Sequence, residues 1–80
     1  MDIEVLGAGC KNCVALERTT SEALQRLGRD EKITKITDYG QIASYGVLST
    51  PALAIDGVVK VIGRVPSIEE VMELVAAAGG

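Results

Sequence analysis

The sequence predicts an α/β domain of order βαβαββα, in which a four-stranded mixed sheet carries helices on both faces. Three observations lead there. Short apolar stretches rich in β-branched residues alternate with stretches whose apolar positions recur at helical spacing. Late in the chain, Asp56-Gly57 separates two apolar runs and marks a tight hairpin. The final segment opens on Ser67 with Glu70 at the third position after it, a capping box that begins a helix. A right-handed crossover makes the first two strands parallel, whereas the hairpin contributes an antiparallel pair.

Each element has its own signal. Ile3, Val5 and Leu6 form a buried strand, stopped by Gly7-Ala8-Gly9. From about Lys11, Leu16, Ala23, Leu24 and Leu27 recur at helical spacing with Thr20 on the same face, and Gly28 stands where a left-handed cap belongs. Lys32 to Thr37 is β-branched, but its two isoleucines are three apart and break strict alternation, so it is placed at a sheet edge. Asp38 and Gln41 cap a short helix whose apolar face is Tyr39, Ile42 and Ala43 and which ends near Gly46, with Tyr45 a packing residue. Val47 to Thr50 is a loop. Ala52 to Ile55 and Val58 to Ile62 are the hairpin strands, and Ile68, Val71, Met72 and Val75 line the last helix. Ala76 to Gly80 reads as a loose tail, and residues 1–80 as a single domain.

Composition narrows the function. With 8 Lys and Arg against 11 Asp and Glu, the net charge is −3, so contacts to phosphates have little to work with. Two Tyr and no Phe or Trp leave no stacking platform for single strands, and nucleic acid is not an expected partner. The chain has no His, which excludes Ser-His hydrolytic triads and His-containing zinc sites. No apolar stretch approaches the roughly 18 residues of a membrane span, and Met1-Asp2-Ile3-Glu4 lacks the basic charge of a secretory signal. The expected location is cytoplasmic, with no membrane partner. In that reducing compartment a close Cys pair points to catalysis or metal binding rather than to a structural bridge.

The chemistry centres on Cys10-Lys11-Asn12-Cys13, between the first strand and the first helix. Unpaired N–H groups at a helix start and the positive end of its dipole favour a thiolate, and Lys11 adds positive charge, so Cys10 is the candidate nucleophile with a thiol pKa below about 8.5. Cys13 lies one turn on, within reach of Cys10 to resolve a mixed disulfide. Competing readings are two inert core cysteines, or a soft two-thiolate site for Cu(I) as in small copper chaperones. Such chaperones end on a strand, in the order βαββαβ, whereas this chain is expected to end on a helix.

Strand, CxxC at a helix start, then Thr-Pro before a hairpin and a terminal helix resembles the thioredoxin superfamily over essentially the whole chain. GAGCKNC and STPALAIDG match the small, glutaredoxin-sized thioredoxin-like proteins called redox-active disulfide protein 2. The resemblance implies a thioredoxin-like fold and a protein-disulfide reductase working through a reversible Cys10–Cys13 dithiol/disulfide pair, with no bound cofactor or metal. It implies that Pro51 is a cis-proline packed on the disulfide and that Thr50 offers backbone groups to an extended substrate strand. It also implies disulfide-containing protein substrates and a separate electron-donor reductase, either flavin-dependent or glutathione-based, for a chain expected to be monomeric. Glu4 stands six residues before Cys10, the offset at which thioredoxins keep a buried acid, so it is a candidate proton acceptor for Cys13; the other reading is a solvated charge on a sheet face. The aromatic residue before the first Cys and the Pro between the cysteines are absent here, so redox potential and substrate range do not carry over. Arg64 either steers an acidic partner or hydrates its loop. A redox-switched partner-binding domain is the remaining alternative.

Overall fold

The computed structural model describes residues 1–79. Its elements are β1 (Ile3–Leu6), α1 (Lys11–Arg26), β2 (Ile33–Ile36), α2 (Tyr39–Ser44), β3 (Ala52–Ile55), β4 (Val58–Ile62) and α3 (Ile68–Gly79). The four strands lie in the order β2-β1-β3-β4. β1 runs parallel to β2 and antiparallel to β3, which pairs antiparallel with β4. The predicted α/β fold of order βαβαββα is therefore the observed one.

Alternation along the strands sorts side chains between two layers. Ile3 and Val5 of β1, with Leu53 and Ile55 of β3, pack under α1 and α3 against Leu16, Leu24, Val71 and Val75. Leu6, Ala52 and Ala54 point the other way and meet Ile42 of α2 and Val47. β3 is buried at every position because it is central and covered on both faces. The odd spacing of Ile33 and Ile36 has the same cause: at the β2 edge, one isoleucine joins each layer.

A register shift between Leu53 and Ala54 alters the alternation in β4. Leu53 opposes Val61 and Ala54 opposes Val59, so Lys60 is the extra residue of a bulge. Val59 and Val61, two apart, consequently reach opposite layers. The hairpin turn has Asp56 at φ 51° and Gly57 at φ 81°, the paired positive angles of a type I′ turn.

Three local expectations need correction. The stretch read as a loose tail is helical through Gly79, since consecutive alanines favour helix continuation and no breaker intervenes; Gly80 lies outside the described residues. In α2 only Ile42 is buried, while Tyr39 is 75% exposed and Ala43 is exposed, because a six-residue helix presents little more than one side chain to the sheet. Arg64, read as steering an acidic partner or hydrating its loop, has a partner within the protein: its guanidinium donates to the Glu70 carboxylate, with Nη1 2.9 Å from Oε1. Ser67 caps α3, its Oγ accepting from Glu70 N at 3.1 Å.

Candidate active site

The end of β1 and the start of α1 build the site. Cys10 is the N-cap of α1, with extended backbone angles (φ −68°, ψ 167°), and its Sγ accepts a hydrogen bond from Cys13 N at 3.2 Å. A sulfur thus occupies the position usually filled by a Ser, Thr or Asp oxygen, where helix N–H groups stabilise negative charge. No acidic residue lies in the first turn to oppose that charge, and exposed Lys11 is its first residue.

Cys10 and Cys13 are joined in a disulfide. The two sulfurs are not equivalent. Cys10 is exposed, whereas Cys13 is only 4% exposed. An incoming disulfide therefore meets Cys10 first.

Gly7 permits this arrangement by having no side chain. A Cβ there would collide with Cys13 Sγ and would sit 3.7 Å from Thr50 Cβ. The same glycine therefore adjoins both the CxxC helix and the loop before β3, bringing Thr50 beside the disulfide. The Thr50–Pro51 peptide bond is cis, and Pro51 is buried. Pro51 O accepts from Gly63 N at 2.7 Å, which holds this loop against the end of β4.

Glu4 is not brought to Cys13. Adjacent residues of a strand point to opposite faces, and it is Val5, not Glu4, that lines the cavity beside Cys13. The Glu4 carboxylate instead accepts a hydrogen bond from the Tyr45 hydroxyl at 2.9 Å. That bond, with partial desolvation and the nearby charges of Glu4 and Asp2, raises the Tyr45 pKa above the usual tyrosine value. The cavity contains two charged side chains that sequence reasoning passed over, Glu17 of α1 and Lys35 of β2, paired at 3.3 Å. For Glu17 a signal existed, its spacing of four from Cys13 on one helix; for Lys35 none did, since only the β1–β2 pairing places it opposite Val5.

The thioredoxin domain family pattern matches residues 1–76. A thioredoxin from Methanothermobacter thermautotrophicus is 41% identical over 76 residues, covering 95% of this chain and 99% of that protein. The chain belongs to the thioredoxin family. A thioredoxin from Methanocaldococcus jannaschii is 38% identical over 71 residues, covering 89% of this chain and 81% of its own. A second protein of M. thermautotrophicus, described as a probable thioredoxin, is 35% identical over 69 residues, 82% of this chain and 80% of its own. With the CxxC disulfide at the head of α1, this thioredoxin-family chain is a thiol–disulfide oxidoreductase of the disulfide-reductase type. Among the described residues no helix is long and apolar enough to cross a membrane.

Proposed function

We propose that the protein reduces disulfides in partner proteins by a two-thiol cycle at Cys10 and Cys13, and that a separate reductase restores it. One observation carries the reading: exposed Cys10 caps α1 with its sulfur, while Cys13 is buried one turn behind it. In the reduced protein the capping N–H and the helix dipole stabilise a Cys10 thiolate, with Lys11 adding positive charge. This thiolate attacks a substrate sulfur, forming a mixed disulfide and expelling the first substrate thiolate. Cys13, as thiolate, then attacks Cys10 Sγ. The Cys10–Cys13 bond forms, the second substrate thiolate leaves, and two electrons have passed to the substrate.

Thr50 and Pro51 supply the platform in this reading. Thr50, exposed and beside the disulfide, suits backbone pairing with an extended substrate segment, which would present its own disulfide to Cys10. Reducing work of this kind belongs in the cytoplasm, and transient one-to-one encounters fit a monomeric single domain. The electron donor is either a flavin-dependent reductase or glutathione.

A redox-buffer titration under metal-free conditions tests the proposal, with the Cys10–Cys13 state read by alkylation and intact mass. We expect one reversible two-electron transition between roughly −200 and −300 mV, the range of reducing thioredoxin-like proteins. Thiols that never close into the intramolecular bond would remove the mechanism and make Cu(I) binding the reading to test.

A further inference from the structure

Resolution of the mixed disulfide requires Cys13 to lose a proton, yet its side chain is almost completely removed from solvent. The residue expected from sequence to receive that proton, Glu4, is engaged by Tyr45 and is not among the residues lining the cavity at Cys13. We propose that Glu17, oriented by Lys35, is the general base for Cys13, acting through water in the cavity beside the disulfide. This rests on the reading that the Cys10–Cys13 pair turns over.

The geometry supports it in three ways. First, Cys13, Glu17, Lys35 and Thr37 line one cavity of about 160 Å3. Water takes up about 30 Å3 per molecule in the liquid, so the space has room for a few waters with polar partners along its wall. Second, Glu17 follows Cys13 by four residues on α1, which puts the two side chains on one face of the helix, one turn apart. Third, Lys35 Nζ lies 3.3 Å from Glu17 Oε2, and the Glu17 side chain is 34% exposed, so the carboxylate has both a fixed partner and an outlet to solvent.

The surroundings of Cys13 leave few alternatives for this role. β1 offers Val5 and the turn after it Gly7, which are uncharged, β2 offers Lys35, and the loop before β3 offers Thr50 beyond Gly7. On α1 the charged neighbours are Glu17 and, in the first turn, exposed Lys11. Glu17 is the carboxylate in the cavity. In the proposed step the Cys13 proton passes to a cavity water, which releases a proton to Glu17. The Cys13 sulfur forms its bond to Cys10 Sγ as the bond from Cys10 to the substrate sulfur breaks. The departing thiolate takes a proton from solvent, and Glu17 returns its own to bulk water.

An aromatic disulfide that releases a coloured thiolate at each stage separates the two steps. With reduced protein in a rapid-mixing experiment, the first release reports attack by Cys10 and the second reports resolution by Cys13. In Glu17→Gln we expect the second phase to slow by about a hundredfold near pH 6.5, the low end of the range for general base catalysis. The difference should shrink as pH rises, because hydroxide takes over the role of the base. Equal second phases at every pH overturn the proposal, as does slowing by one constant factor across the whole range, which marks a structural effect. Slowing in Glu4→Gln instead of Glu17→Gln assigns the proton to Glu4 and overturns it equally. A missing second phase in the unsubstituted protein would instead defeat the two-thiol cycle itself, so the two failures are distinguishable.

Discussion

Gly7 carries more of this site than its size implies. Its missing side chain is the space that Cys13 Sγ occupies, and Thr50 stands just beyond it. Gly7→Ala should therefore force the buried sulfur or the β1–α1 turn to move. Overpacking of this kind costs about 1–3 kcal/mol, to be read as a lower denaturant midpoint with an unchanged slope. A wild-type midpoint would show that the turn relaxes freely. Cys10 and Cys13 differ at this scale in two respects: Cys10 is exposed and its sulfur caps α1, whereas Cys13 is buried in the protein. Thr20, also fully buried, satisfies itself within α1 by donating its hydroxyl to Leu16 O at 2.8 Å, so it introduces no unpaired polar group into the core.

At the scale of elements, α2 is the least self-sufficient piece. It has six residues, a cap from Asp38 Oδ2 to Gln41 N at 2.9 Å, and one buried side chain, Ile42. The Tyr45 hydroxyl, at its C-terminal end, ties it to Glu4 of β1. Hydrogen bonding to the Glu4 carboxylate favours the neutral phenol, and partial desolvation adds to the effect, so Tyr45 should ionise above the ordinary tyrosine value. Because the folded pKa is raised, the contribution to stability is complete below the unfolded pKa and is lost as pH rises through the folded one. An ultraviolet titration of Tyr39→Phe isolates this phenol. It should ionise late, and adding Glu4→Gln should bring it back toward the usual value. Ionisation of Tyr45 at that usual value in the single variant would mean that the β1–α2 tie is not held in solution.

Across the whole molecule the two layers are unequal. The face under α1 and α3 holds most of the large buried side chains, among them Leu16, Leu24, Leu53 and Ile55, whereas the α2 face relies on Leu6, Ile42, Val47 and two alanines. Stability should depend chiefly on the first. Leu53→Ala, at a fully buried position of the central strand, should cost about 2–5 kcal/mol, a large part of the roughly 5–15 kcal/mol typical of a folded domain. Urea unfolding checks this, and a loss below about 1 kcal/mol would mean that the layer collapses to fill the cavity. The site lies at the end of β1 and the head of α1, so the main core anchors both the helix that carries the cysteines and the strand that leads into it.

Local chemistry was enough to determine much of this protein. Apolar spacing and β-branched content located the strands and the longer helices, Asp56-Gly57 marked the hairpin, and the caps at Asp38 and Ser67 marked two helix starts, because each depends on residues within one turn of one another. Cys10 and Cys13 were legible for the same reason, since a CxxC between a strand and a helix places one sulfur at the helix start. Only the tertiary structure decided which face each strand residue served. The β4 bulge that sends Val59 and Val61 to opposite layers leaves no mark in the sequence, because it arises from how β3 and β4 meet. The side chain of Glu4 is directed in the same way. An offset of six from Cys10 fixes its distance along the chain, but strand alternation and the position of α2 turn it toward Tyr45, while the pairing of β1 with β2 brings Lys35 to Glu17. Sequence spacing encodes neighbours along one element, and contacts between elements exist only once the sheet has chosen its order and register.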